Sequence, residues 1–285
     1  MSARLFLVLC LYAPLAAVDQ LNTQTWWLGN QDPFAASHVP GGMEDVTALG
    51  TTIFTNTTWE EGGRTMARIA ADGGISGQPR LTLPTHPNYG GIAIVTDGTY
   101  VYAARQQEGQ TARILRFNPA GTQAAWPSIT HITLHSETTY MTTRATGLAV
   151  HAGELFVSDP FGGGIRVFDA ATGAEKTGRK ITLASPGQLA VDGNGLLWVV
   201  VAGEVRGFSR GNGDSTPGAF VRALPAPTAT WRPRDVCAIT TGGQARLLVS
   251  DAGPWQQVLR FSNLGATPVL DAWRIGVQGG FLAGP

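Results

Sequence analysis

Cysteine is nearly absent from this chain of 285 residues, with only Cys10 and Cys237 present. Stability must come from packing, because no dense disulfide framework can be built from two thiols. Charge is scarce as well, at 14% of residues, and Lys plus Arg equals Asp plus Glu at 20 each. With no net field, neither nucleic acid nor an anionic membrane surface is favoured as a partner. The apolar stretch from Leu5 to Leu15 is too short to span a bilayer, which takes about 20 residues. No segment keeps a helical period. No G-x-S-x-G elbow occurs, and no serine sits in a context that suggests an activating histidine. His38, His86, His131, His135 and His151 are scattered without a short-spaced zinc pair. His131 and His135 lie four apart, but HITLH reads as a strand, which separates them too far to share one ion easily.

Glycine, by contrast, is abundant at 37 residues and gathers between apolar runs. That is turn usage, since glycine reaches positive φ without steric cost. The first 17 residues read as a secretory signal: Arg4 is the positive start, Leu5 to Leu15 the apolar stretch, and Ala16–Ala17 the small exit. A buried N-terminal strand is the alternative. With the signal removed, Cys237 is the single remaining thiol, in an apolar strand where cysteine behaves as a small hydrophobe.

A short unit recurs along the rest of the chain. Its hairpins read DVTALGTTIFT (Asp45–Thr55), GIAIVTDGTYVYA (Gly91–Ala103), GLAVHAGELFVS (Gly147–Ser158), QLAVDGNGLLWV (Gln188–Val199) and DVCAITTGGQARLLVS (Asp235–Ser250). A third strand follows each, as in ILRFNPAG, IRVFDAATG, VRGFSRGNG and VLRFSNLG. Hairpin starts lie 41 to 56 residues apart. Several strands per copy at that period predict an all-β propeller, with one blade per copy. Phe117, Phe168, Phe208 and Phe261 should then pack between sheets. The expected division is a signal over 1–17, a leader over 18–42 that supplies a ring-closing strand, and a propeller over 43–285. The long spacer Pro119–Thr143 reads as an outer strand with an extended loop, and Gly211–Pro233 as a loop. About five blades are visible. Either the leader and Val269–Val277 complete a small ring, or the chain is a piece of a longer one, which the lead-in FLAGP favours.

VSDPFGGGIRVFDAATG (Val157–Gly173) resembles NHL-type repeats, and LLVSDAGPWQQVLRFSNLG (Leu247–Gly265) repeats it with an insertion. QLAVDGNGLLWVV is similar to the strand pair of the same superfamily. The likeness covers most of Asp45 to Gly265 and implies a six-bladed, TolB-like propeller. WWLGN with TNTTWEEGGR resembles exported bacterial propellers of unassigned activity, which implies secretion or a periplasmic location and supplies no chemistry. A gluconolactonase-like member of the superfamily would hold a hard divalent ion, such as calcium, on Glu, Asn and Asp along the channel. Glu44, Asp45 and Asp235 lie near inner strands, but no asparagine stands at a matching start.

Propeller ligands meet the channel mouth, where inner strands begin and second-to-third-strand loops converge. Asp45, Arg144, Arg234 and Asp235 enter inner strands. The loops offer Asn56, Trp59, Glu60, Glu61, Arg64, Arg105, Asp159, Asp251 and Trp255. Trp59 and Trp255 could stack on a sugar face while carboxylates and arginines bond hydroxyls. Against this, Asp159 and Asp251 occupy equivalent repeat positions where aspartate commonly caps a turn, and TTWEEGGR also reads as a solvated loop. DGNG at Asp192 lacks the later carboxylates of a calcium loop and reads as a hairpin turn. The function expected is a binding scaffold for a small molecule, glycan, peptide or protein, with no cofactor. A metal-dependent hydrolase is the alternative, and a purely structural module in a longer exported protein is a third.

Overall fold

Period-two alternation with apolar residues on both faces dictates sheets that are covered on both sides. The computed structural model describes residues 43–57, 66–70, 89–90, 93–107, 111–135, 145–253 and 255–276. These form five antiparallel sheets. Blade 1 holds β1 (Met43–Leu49), β2 (Thr52–Thr57) and β3 (Met66–Ala70). Blade 2 holds β4 (Tyr89–Gly90), β5 (Ile94–Thr96), β6 (Val101–Gln107), β7 (Arg113–Phe117) and β8 (Ile132–Thr133). Blade 3 holds β9 (Gly147–His151), β10 (Glu154–Asp159), β11 (Gly164–Asp169) and β12 (Ile181–Thr182). Blade 4 holds β13 (Leu189–Val191), β14 (Leu197–Val201), β15 (Glu204–Phe208) and β16 (Phe220–Ala223). Blade 5 holds β17 (Pro233–Thr241), β18 (Gln244–Asp251), β19 (Val258–Ser262) and β20 (Val269–Ile275). The only helical element among the described residues is one 3₁₀ turn at Thr177–Arg179. No helix among them is long and apolar enough to cross a membrane.

Strand parity assigns each face to a neighbour. In blade 3, Leu148, Leu155, Val157 and Phe168 pack against Tyr102, Ile114 and Trp126 of blade 2. The opposite-parity residues Ala149, Phe156, Ile165 and Val167 pack against Leu189, Leu197, Val199 and Phe208 of blade 4. Blades 4 and 5 repeat this through Trp198, Val205, Leu247, Val249 and Phe261. Blades 1 and 2 join through Leu49, Phe54, Val101 and Phe117. The four third-strand phenylalanines are all buried, as the repeat predicts. The innermost strands β1, β5, β9, β13 and β17 touch in that order and together line one hollow. This is a β-propeller.

Three sequence readings are refined. Gly211–Pro233 is not all loop: it carries the outer strand β16, whose exposed Phe220 closes edge-on against Phe208 at 5.9 Å. A strand so exposed shows no alternation, which hid it. The Pro119–Thr143 spacer contributes only the two-residue strand β8 among its described residues, and it tucks Trp126 into the blade 2–3 core. In DGNG, the Asp192 carboxylate accepts from the N–H groups of Asn194 (2.8 Å) and Leu196 (3.0 Å) and from Trp198 Nε1 (2.7 Å). That is a hairpin turn locked to its own blade. The signal and the leader lie outside the described residues.

Candidate functional site at the channel mouth

Each inner strand starts at one end of the ring, so residues at equivalent registers gather around the axis. Asp45 pairs with Asn56 across β1 and β2, and Asp235 pairs with Ser250 across β17 and β18. Gly147 pairs with Ser158 in blade 3. Val200 N–H donates to Gln188 O at 3.0 Å, and Ala104 N–H to Ala93 O at 2.9 Å, which places Gln188 and Ala93 at the same level. Across the five described blades this level therefore reads Asp45, Ala93, Gly147, Gln188, Asp235.

The hollow behind this ring measures about 500 Å³. Its wall is mostly aliphatic, with Ile94, Leu148, Leu189 and Val236 among its members, and its polar side chains are Asp45, Thr47, Thr96, Gln188, Asp235 and Cys237. Both acids bond the backbone. Asp45 Oδ1 accepts from Val46 N–H and Oδ2 from Ile94 N–H of the next blade, each at 2.8 Å. Asp235 Oδ1 accepts from Val236 N–H at 2.8 Å. Cys237 borders the same hollow, where loss of water, then Asp235 and Asp45, push its thiol up to about 12. It is held in the thiol form near neutrality, which works against nucleophilic attack.

Buried Asn56 and Arg105 tie blade 1 to blade 2. Asn56 Nδ2 donates to Ala93 O (2.9 Å) and Ala104 O (3.1 Å), while Arg105 Nη1 donates to Asn56 Oδ1 (3.1 Å). Between blades 3 and 4, Ser158 Oγ donates to Gly187 O and Thr146 Oγ1 to Pro186 O, both at 2.5 Å. Backbone meets backbone across this seam at Gly147, where an added Cβ would lie 2.4 Å from Gly187 O.

The two loop aspartates spend their oxygens on structure. Asp251 accepts from Arg232 N–H (2.9 Å), Gly253 N–H (2.9 Å) and Trp255 N–H (3.1 Å). Asp159 accepts from Gly162 N–H (2.7 Å), His135 Nε2 (2.7 Å) and Arg166 Nη1 (3.3 Å). Arg166 is itself clamped on both oxygens of Glu175 at 2.8 and 2.6 Å. Trp255 packs on the blade 4–5 core, with Arg274 lying 4.3 Å over its ring. Arg234 is exposed and does not line the hollow. The structure thus brings Asp45 and Asp235 together on the axis and sets Asp159, Asp251 and Trp255 around the rim at the same end. Trp59, Glu60, Glu61, Arg64 and Arg144 lie outside the described residues.

Two participants escaped the sequence reading. Gln188 opens its hairpin at the position of Asp45 and Asp235, so repeat register alone would have found it. Phe161, two residues past Asp159, stands 51% exposed at the rim with His135 edge-on at 4.7 Å. A large aromatic left in water beside a turn is its signal. Among the described residues, no group of three or more His, Cys, Asp or Glu is placed to hold a metal.

No protein-family model matches the chain, and no curated protein matches it. Solved structures do. The chain is similar to virginiamycin B lyase from Staphylococcus aureus at 15% identity and TM-score 0.55, over 82% of this chain and 72% of that one. It is similar to a candidate 6-phosphogluconolactonase from Bacteroides uniformis at 16% identity and TM-score 0.53, over 86% and 74%. The Swd1 β-propeller domain from Myceliophteria thermophila matches at 13% identity and TM-score 0.55, over 84% and 76%. At such identities the likeness is one of fold, and propellers host unrelated functions.

Proposed function

We propose that this chain is an exported binding scaffold of the NHL/TolB-like kind, taking a glycan, peptide or protein segment at the mouth of its channel. The observation that carries this reading is the mouth itself. A largely aliphatic hollow of about 500 Å³ opens beneath Asp45, Gln188 and Asp235, with exposed Phe161 on the rim at the same end. Concave, mostly apolar space with a few convergent polar groups is what ligand sites of ~300–1,000 Å³ offer. Apolar portions of a ligand would enter the hollow, and Phe161 would stack on a ring or an aliphatic face at its edge. The signal-like start over residues 1–17 supports export. The test is capture of the full chain on glycan and peptide arrays, followed by titration of the best probe. Phe161→Ala removes an exposed ring, and Thr47→Arg fills the hollow from its wall. Each is expected to weaken binding by about tenfold, since hot-spot truncation costs roughly 1.4 kcal/mol or more. Equal affinity in wild type and both variants removes this reading.

A second reading, a metal-dependent hydrolase or lactonase, draws on the paired carboxylates Asp45 and Asp235 facing one axis. Their fit to a cation such as calcium is poor, because both Asp45 oxygens already accept backbone N–H groups at 2.8 Å. Lactone hydrolysis abolished by chelator would favour this second reading over the first.

A further inference from the structure

We infer that a sixth blade completes the ring, seated between blades 5 and 1 and built from this chain's own residues 277–285 and 18–42. The inner strands of blades 1 to 5 touch in succession, but β17 and β1 make no comparable contact. That leaves a slot between these two blades. Strand parity fixes what faces it. In blade 3, Leu148 looks back to blade 2 and Ala149 forward to blade 4. By the same register Cys237, Ile239, Leu248, Val258, Trp273 and Ile275 look forward from blade 5 into the slot. Leu248 and Val258 are only 0% and 2% exposed, yet the described apolar residues packed on them all belong to blade 5. An apolar sheet face of this kind is stable only against a further layer.

Two hydroxyls face the same slot. Ser250 Oγ and Thr55 Oγ1 are buried and have no hydrogen-bond partner. Ser250 shares the forward face of β18 with Leu248. On β2, Phe54 and Asn56 both engage blade 2, so Thr55 between them points the other way, into the slot from blade 1. Ser158 is the equivalent of Ser250 in blade 3, since Gly147–Ser158 and Asp235–Ser250 are matching pairs. Ser158 Oγ donates to Gly187 O, just ahead of the next blade's inner strand, at 2.5 Å. Ser250 therefore calls for the backbone carbonyl of a segment entering a sixth inner strand. A buried hydroxyl without an acceptor is costly, and such a segment removes that cost. Connectivity names the segment. The outer strands β8, β12 and β16 each lead into the inner strand of the next blade, β9, β13 and β17. On the same path, residues 277–285 after β20 reach the inner position of the sixth blade, and residues 18–42 ahead of β1 arrive from its outer position. The latter bring Leu21, Trp26, Trp27, Leu28 and Phe34 to set against the apolar face.

Photo-cross-linking in the full chain tests this directly. Trp273→p-benzoylphenylalanine puts an aromatic for an aromatic at a half-buried position of β20, the outer strand of blade 5, on the slot face. Peptide mass mapping should find cross-links within one copy to residues 18–42. Cross-links confined to blade 1 or to a second copy, or none at all, would overturn the proposal. Folding stability of the full chain supplies a second measurement. Ser250→Ala and Thr55→Val should each lower the equilibrium constant for folding about fivefold, the equivalent of one neutral hydrogen bond. With no acceptor docked, deleting an idle buried hydroxyl leaves stability unchanged or raises it, and that result in both variants would likewise sink the sixth blade.

Discussion

At the scale of single residues, the telling feature is how few polar groups inside the ring are idle. Glu154 and Arg179 are both buried, and the Arg179 guanidinium spans both Glu154 oxygens at 2.8 and 3.2 Å. Arg179 also donates to Gly213 O at 2.5 Å and to Arg210 O, so blade 3 is pinned to the blade 4 loop. Burial alone would raise the Glu154 carboxyl, but hydrogen bonds from Arg179 and Lys176 outweigh it and hold the group below its ordinary 4.5. His151 is held below 6.5 by burial and by Arg210. Both shifts mean that the unfolded chain binds more protons than the native one. Stability is therefore intact above these ordinary values and is lost as acid carries the pH first below 6.5 and then below 4.5. Urea midpoints should fall across that range. Arg179→Met should cost about 3 kcal/mol at neutral pH, the low end for a broken buried pair because Lys176 still reaches Glu154. It should also flatten the acid limb of the curve. A midpoint unmoved by the substitution would place the pair among interactions without net value. Of these details the sequence shows only that Asp159 and Asp251 are turn-capping types. It does not show that His135 and Arg166 would come from elsewhere to share Asp159.

At the scale of elements, alternation is enough to define the blades, because a strand residue can point only to one face or the other. That is why Leu148 with Leu155 and Ala149 with Phe156 separate so cleanly between two cores. Where alternation fails, as in exposed β16, the strand is invisible beforehand. Close packing of blade on blade also shows through glycine at one position. Gly147 lies against the strand leading into blade 4, and a Cβ there would meet Gly187 O at 2.4 Å, Gln188 Cα at 2.7 Å and Leu189 N at 2.9 Å. All three are backbone atoms, which cannot step aside as a flexible side chain would. Gly147→Ala should destabilise by about 1–3 kcal/mol, as overpacking does, with the loss measured by denaturant midpoint. Tryptophan emission, to which buried Trp198 of blade 4 contributes, should report the same transition as far-ultraviolet circular dichroism. A neutral Gly147→Ala would mean that blades 3 and 4 sit farther apart than described.

At the scale of the whole molecule, balance governs behaviour: 20 basic and 20 acidic side chains leave no net charge near pH 7. Long-range steering of a polyanion is then absent. Heparin and duplex DNA columns should fail to retain the protein at about 0.15 M salt, and firm retention would reveal a clustered basic face that composition hides. The sequence by itself determined the blade. Period, parity and glycine turns are local properties, and each unit carries them whatever its neighbours do. It also marked Asp45 and Asp235 as matching positions, since both open the same repeat. Only the tertiary structure decided that these residues share one axis with Gln188 and that Phe161 stays in water at the rim. Those facts depend on which distant chain segment arrives beside each side chain, and closure of sheets around an axis, not local pattern, sets that.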